Sequence, residues 1–271
     1  MHLRSQFAAR EGRQMPDSQV KSGFSILLRL ISEVTRRIFD VVFASLSLLV
    51  LSPALLLIVL AIWLESGRPI FFKQVRLGRY GQPFYMYKYR KFHNDCGTSG
   101  PPLTLQEDPR LTAVGKFLAS SKLDELPQLW NTLRGDMSVI GPRPESLAFA
   151  DCFTGNFTEV LNHKPGILGP SQVAFRNECA LYPRDSDPSE FYRLEIFPAK
   201  ALIDLQYYSR RSLFHDLLWL AYGVLAVLRI GPRLPRAQVS NVNGESPHVL
   251  LPRPKVPMAI HSAATTRGTE A

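Results

Sequence analysis

Residues 41–64, VVFASLSLLVLSPALLLIVLAIWL, carry no charge, and a run of that length reaches across a hydrocarbon core about 30 Å thick. Ser52 and Pro53 stand near its middle. Proline removes a helix hydrogen bond and crowds the preceding turn, so a bend is expected there, and a bent helix can enter and leave a bilayer by one face. A straight span with a tolerated proline is the competing reading. Arg29, Arg36 and Arg37 precede the run and Arg68, Lys73, Arg76 and Arg79 follow it, a balance that favours both ends on the cytoplasmic side. Further along, 83–87 and 137–140 read as strands, and 126–133 and 198–208 as helices. Residues 213–228 are apolar but short for a span, which suggests an interfacial helix, with a buried core helix or a tilted second crossing as alternatives. The mixture predicts an α+β fold, mainly helical, in one membrane-associated domain behind an N-terminal segment that is either a re-entrant helix hairpin or a straight span.

The ends differ from this middle. Residues 1–23 are polar and broken by Gly and Pro, which suggests a flexible arm, and 24–66 form the membrane-anchoring segment. The main domain is expected over 67–231, interfacial helix included. Residues 232–271, rich in Pro, Arg, Ser and Asn, read as a disordered tail. The apolar run is longer than a signal-peptide core and begins some forty residues in, so it is expected to be retained. A chain of 271 residues with net charge +9 can hold one sizeable core and suits anionic lipids or phosphates. Its three cysteines and six histidines show neither disulfide nor metal-ligand spacing. No Gly-x-Gly-x-x-Gly or Walker loop is present.

Candidate chemistry concentrates in 122–144, KLDELPQLWNTLRGDMSVIGPRP. Leu126, Leu129, Trp130 and Leu133 recur at helical spacing, and Gly135 stands where a left-handed C-terminal cap would fall. Asp124 then lies at a helix start, where it could be no more than an N-cap, and where unpaired N–H groups and the helix dipole would favour its anion. Glu125 follows directly; on a regular helix the two side chains would diverge by about 100°, although at a helix end they can still converge. Arg143, between Pro142 and Pro144, offers a stiffly held planar fork suited to a diphosphate. Arg76, Lys88, Arg90 and Arg110 are further phosphate-binding candidates, each of which could instead face headgroups or solvent. Asp95 and Asp136 could join a metal shell, although Asp136 also suits a plain turn after Gly135.

These features stand in an ordered series: Arg37-Ile38-Phe39-Asp40, Ser52-Pro53, Pro69-Ile70-Phe71-Phe72-Lys73-Gln74-Val75-Arg76-Leu77-Gly78, Tyr87-Lys88-Tyr89-Arg90, Asp108-Pro109-Arg110-Leu111-Thr112, Asp124-Glu125-Leu126-Pro127-Gln128, Gly141-Pro142-Arg143-Pro144 and Lys164-Pro165-Gly166-Ile167-Leu168-Gly169. Over about two thirds of its length the chain thereby resembles the bacterial sugar transferases, monotopic polyprenyl-phosphate phosphoglycosyl transferases that begin surface-glycan assembly. The resemblance implies transfer of a phosphosugar from a UDP-sugar to polyprenyl (undecaprenyl) phosphate with release of UMP. Asp124 would be the nucleophile forming an aspartyl phosphosugar, and Glu125 would bind metal or assist the lipid acceptor. Mg²⁺, held by Asp124 and Glu125, is the expected cofactor. A bacterial inner-membrane location with the domain facing the cytoplasm would follow, with membrane lipid as a partner, no nucleic acid, and a homodimer or other glycan-assembly enzymes as candidate associates. The chain departs from the family at Ala119, where an Arg usually follows the Gly-x-Phe-Leu segment, here 115–118, and at Phe92, where Met is frequent. A membrane-anchored basic module that binds anionic glycans or lipids without catalysis is the alternative; it would not need a carboxylate pair inside a positive site.

Overall fold

A computed structural model describes residues 17–96, 103, 108–183, 187–228, 238–240 and 248–250. The first helix, α1 (Asp17–Ser66), contains the whole apolar run and continues through Pro53. It begins at Asp17, inside the expected flexible arm, and runs through Gly23, whose helix penalty of about 1 kcal/mol a long helix can absorb. The Ser52 hydroxyl donates to the Leu49 carbonyl at 2.8 Å, the acceptor that Pro53 leaves without its i+4 N–H donor.

The two sides of α1 differ. Leu46, Leu49, Val50, Leu56, Leu57, Leu60 and Leu64 face outward, with Leu49 and Val50 72% and 73% exposed. Phe39, Phe43, Leu55, Ile58, Val59 and Ile62 pack on the rest of the protein. An uncovered apolar face this long marks a surface that meets lipid or a partner.

After α1 come β1 (Phe71–Leu77) and β2 (Pro83–Tyr89), an antiparallel hairpin with Phe72 opposite Lys88 and Arg76 opposite Phe84. Cross-strand partners share a face, so Phe72, Gln74, Arg76 and Lys88 lie together. Helix α2 (Ala113–Ser121) is capped by Thr112, whose hydroxyl accepts from the Gly115 N–H. A single 3₁₀ turn (Leu123–Glu125) follows, then α3 (Gln128–Arg134), which closes on Gly135 at φ +92°. Strand β3 (Ser138–Ile140) pairs in parallel with β4 (Gly166–Leu168). At Gly141 a Cβ would lie 2.3 Å from the Lys164 carbonyl oxygen, so only glycine lets the strands approach as the chain enters Pro142-Arg143-Pro144.

The remaining helices, α4 (Pro170–Ala174), α5 (Pro188–Phe191) and α6 (Phe197–Tyr208), enclose a core of Phe149, Val160, Phe175, Tyr192, Ile196 and Phe197. Helix α7 (Leu213–Leu228) is one-sided: Trp219 and Leu220 pack inward, while Phe214 and Leu217 face out, so it is not a buried core helix. Inside the expected disordered tail, β5 (Gln238–Ser240) and β6 (His248–Leu250) pair antiparallel. The fold is thus mainly helical with small two-stranded sheets.

Both ends of the apolar run are bonded to this one domain. Arg37 donates from Nη1 to the Thr132 carbonyl at 2.5 Å and from Nη2 to that of Leu133 at 2.6 Å, supplying donors to the carbonyl end of α3. Asp40, buried, accepts from the Ser138 hydroxyl and the Val139 N–H at the start of β3. Arg36 pairs with Asp216 of α7 at 3.2 Å. At the other end, Arg90 donates to the Ser66 and Gly67 carbonyls that terminate α1.

Candidate active site

Asp124 and Glu125 sit in the 3₁₀ turn between α2 and α3, entered through Lys122 in the left-handed region at φ +64°. Asp124 does not cap α3. That helix starts after Pro127 without a side-chain cap, which removes the plain N-cap reading. Asp124 is 3% exposed and its Oδ1 has no hydrogen-bond partner, while Oδ2 lies 3.9 Å from Lys91 Nζ. A buried carboxylate oxygen left without a donor is destabilising by roughly 1–3 kcal/mol or more. The native fold therefore tolerates here what a purely structural aspartate would not need. Burial raises the Asp124 pKa, with Lys88 opposing the rise and Glu125 adding to it. This corrects the expectation that helix N–H groups favour the Asp124 anion: Asp124 caps no helix, and the neighbouring lysines offset only part of the rise that burial causes.

Glu125 is held differently. Its Oε1 accepts from Lys88 Nζ at 2.7 Å and lies 3.4 Å from Arg143 Nη2. Burial alone would raise its pKa, but Lys88, Arg143 and Lys122 together hold it well below the usual carboxylate range. Lys88 is itself lowered to about 8 by burial, with Glu125 restoring part of the loss. The 3₁₀ turn places both carboxylates on one cavity despite their adjacency; the sequence spacing for a regular helix predicts divergence.

That cavity has a volume of about 1360 Å³. Phe43, Ser47, Leu51, Ala54 and Ile58 of α1 line its apolar side, joined by Gly223 and Val224 of α7. Its polar side carries Arg76, Lys88, Lys91, Lys116, Lys122 and Arg143 around the acid pair. Arg76 reaches it from the hairpin face shared with Lys88; its Nη2 donates to Gln74 at 2.7 Å and its buried Nε has no partner.

Two expected phosphate binders are otherwise engaged, though both line the cavity. Arg90 is committed to the end of α1 and to Asn94. Arg110 gives its fork to Asp108, at 2.6 and 2.9 Å, and stacks over Phe92. Strand alternation puts Lys88 and Arg90 on one face, but β2 ends at Tyr89, and it is Lys91 that comes to Asp124. Of the further metal candidates, Asp136 bonds Asn131 and Arg134 in the turn after α3 and does not line the cavity. The side chain of Asp95 lies outside the described residues. Ala119 lines the cavity with Lys116 and Lys122 near it in sequence.

Sequence reasoning missed Lys91, Glu145, Glu178 and Lys200, all cavity-lining. The last three come from separated segments with no local spacing signal. Asn131 was missed as well: it accepts the Tyr87 N–H and donates to the Tyr85 carbonyl, fastening α3 to β2 so that Glu125 meets Lys88.

A divalent cation fits the acid pair. Mg²⁺ binds through one or two carboxylates plus substrate phosphates and waters, and the unpartnered Asp124 Oδ1 supplies an available ligand atom. Among the described residues no group of three or more His, Cys, Asp or Glu could form an all-protein metal cage.

The sequence profile of the bacterial sugar transferases matches residues 31–230, from the middle of α1 to just past the end of α7. The chain belongs to the bacterial sugar transferase family. Relatives include a UDP-glucose:undecaprenyl-phosphate glucose-1-phosphate transferase of Caulobacter vibrioides, 41% identical over 54% of this chain and 56% of that protein. One of the same name from Escherichia coli is 35% identical over 69% of this chain and 39% of its own length. The exopolysaccharide production protein ExoY of Rhizobium meliloti is 32% identical over 70% of this chain and 84% of its length. The chain thus spans little more than half of the Caulobacter relative and less of the Escherichia coli one.

Proposed function

We propose that this member of the family transfers a phosphosugar from a UDP-sugar to a polyprenyl phosphate, releasing UMP and beginning assembly of a surface polysaccharide. The observation that carries the reading is the buried, unbonded Oδ1 of Asp124 in a cavity ringed by Lys88, Lys91 and Arg143. Attack of one anion on another requires the surrounding charge to be neutralised while the nucleophile stays free of strong hydrogen bonds. Asp124 attacks the sugar-bearing phosphorus, the bond to the UMP oxygen breaks, and an aspartyl phosphosugar forms. A phosphate oxygen of the lipid then attacks the same phosphorus, the bond to Asp124 breaks, and the lipid diphosphosugar leaves. Arg143 and Arg76 hold phosphate oxygens, and Lys88 and Lys91 favour the anionic form of the carboxylates between turnovers. Mg²⁺, held by Asp124 and Glu125, supplies Lewis-acid neutralisation of the diphosphate when bound.

The same geometry supports a re-entrant anchor at the cytoplasmic face of the inner membrane. Arg36, Arg37 and Asp40 before the apolar run and Ser66 after it are bonded to one domain, so a bilayer separating the two ends would have to pass through that domain. The outward Leu and Val side chains then enter lipid, and the apolar wall of the cavity faces the side from which the acceptor arrives.

The test is UMP release by detergent-solubilised protein. Turnover is expected only with a UDP-sugar, polyprenyl phosphate and Mg²⁺ together, and Asp124→Asn should abolish it. Near-wild-type turnover by purified Asp124→Asn removes the covalent mechanism. Absence of UMP release from every UDP-sugar tried returns the protein to the class of basic binding modules.

A further inference from the structure

Beyond Arg143 the cavity has a second polar wall that phosphate chemistry leaves unused. Glu178 starts the 3₁₀ turn Glu178–Ala180 that follows α4. Its Oε2 accepts from Lys200 Nζ at 2.6 Å, and its Oε1 from the Tyr182 hydroxyl at 2.8 Å. Lys200, buried on α6, also donates to the Tyr192 hydroxyl at 3.2 Å and lies 3.9 Å from Glu145. Tyr192 opens a π-helical turn, Tyr192–Ile196, between α5 and α6, the kind of widened turn that recurs at functional sites.

The Glu178 carboxylate is therefore fixed from two sides, yet its side chain keeps 22% of its surface open, and the residue lines the cavity. Each carboxylate oxygen offers two lone-pair directions, and Lys200 and Tyr182 occupy one apiece. One acceptor direction remains on each oxygen.

The charge of this wall shows what it suits. Glu145 and Glu178 are matched by Lys200 and Arg176, so the wall offers phosphate no net attraction, and a pair needed only for stability could be replaced by apolar packing at little loss. A fixed carboxylate with two free acceptor directions matches a neutral group presenting adjacent O–H donors. Arg143 lies within electrostatic reach of Glu125 and of Glu178, so a diphosphate gripped by its fork would bring the attached rings to this wall. Cys179 and Arg176, which flank Glu178 in sequence, line the same space.

Resting on the donor assignment proposed above, we infer that Glu178 is a donor-recognition residue whose carboxylate accepts hydrogen bonds from a vicinal diol of the nucleotide sugar, either of the hexose or of the ribose. Tyr182 and Lys200 are its positioning residues.

The experiment uses the purified full chain with polyprenyl phosphate and Mg²⁺. It measures kcat/KM for UDP-glucose and UDP-galactose and the inhibition constant of UMP in the wild type, Glu178→Gln and Tyr182→Phe. An amide cannot accept at both positions, so Glu178→Gln should lower kcat/KM for the better donor by about tenfold to a hundredfold, as expected for losing a hydrogen bond to a charged group. Tyr182→Phe should shift it less, in the same direction. A narrowed preference between the two epimers with UMP inhibition unchanged assigns the diol to the hexose. A UMP inhibition constant raised in parallel assigns it to the ribose. Glu178→Gln with kcat/KM, epimer preference and UMP inhibition all within twofold of wild type overturns the inference. Should that variant fail to fold, Tyr182→Phe decides alone: a lowered kcat/KM supports the inference and an unchanged one overturns it. Wild-type protein that releases no UMP refutes the transferase reading, whereas active wild type with an unaffected Glu178→Gln refutes only the role of Glu178.

Discussion

Arg37→Met severs the contact between α1 and the carbonyl end of α3. The two bonds lost, at 2.5 and 2.6 Å to Thr132 and Leu133, are charge-assisted and made to carbonyls in the last turn of α3, of which that of Thr132 also accepts the Gly135 N–H at 3.1 Å. Such bonds contribute about 1.5–3 kcal/mol each when buried; with Arg37 only partly buried, the pair should be worth about 2–4 kcal/mol. For a domain of this size that corresponds to roughly 5–15 °C in Tm. Arg37→Lys, which can serve one carbonyl as a point charge, should recover about half. The loss should also reach catalysis. Helix α3 follows directly on the acid pair, and the turn after it leads through β3 to Arg143, so a loosened α3 disturbs the 3.4 Å approach of Arg143 to Glu125. The assay is thermal unfolding of the detergent-solubilised protein with UMP release measured well below Tm. A Tm for Arg37→Met within about 1 °C of wild type would refute the assignment of these bonds as a principal link between anchor and domain.

Arg143→Lys should weaken donor use strongly, because a point charge cannot reproduce the fork; an unchanged kcat/KM for the UDP-sugar would make the turn merely structural. Asp204, whose Oδ2 accepts from the Ser171 hydroxyl at 2.9 Å, has its carboxyl raised to about 7 by burial, with Ser171 opposing the rise. Folding thus favours its protonated form, so its contribution to stability is fullest below about pH 4 and is lost as pH rises through 7. Tm measured from pH 5 to pH 8 should fall more in wild type than in Asp204→Asn, and equal slopes would contradict this. In a Cys-free variant in intact cells, single cysteines at positions 22 and 99 should both resist an impermeant thiol reagent; labelling of position 22 alone would end the re-entrant topology without touching the chemistry.

What the sequence conveyed tracks how local each determinant is. Helix α3 and its Gly135 cap, strand β2, α6 and the full length of α7 follow from short-range periodicity and punctuation, and lie where expected. Glu125 and Arg143 also meet, and Asp124 lines the same cavity. The local conformation of Asp124 was not legible, because nothing in Lys122-Leu123-Asp124 announces a left-handed residue followed by a 3₁₀ turn. Arg90, expected as a phosphate binder or a headgroup contact, lines the cavity but has its guanidinium on the carbonyls closing α1, a pairing across 24 residues that local spacing does not announce. The Glu145, Glu178 and Lys200 wall depends on contacts between segments far apart in sequence, which a one-dimensional pattern does not carry.

The bonds that tie α1 to its domain also have an order in time. Asp40 lies 99 residues ahead of Val139, its N–H donor, and Arg36 lies 180 ahead of Asp216. At about 5–20 residues per second, translation leaves Asp40 without that partner for some 5–20 s and Arg36 for roughly twice as long. On the proposed anchoring, the apolar run meets the bilayer before the domain that binds it exists, so its flanking cations and Ser52-Pro53 act on its orientation without that domain. The domain arrives afterwards and can lock the chosen orientation, but not choose it. The effect of a change at Ser52-Pro53 should consequently be decided during synthesis and be irreversible in the finished protein, whereas a change at Arg37 or Asp40 should leave the orientation intact and loosen only the lock.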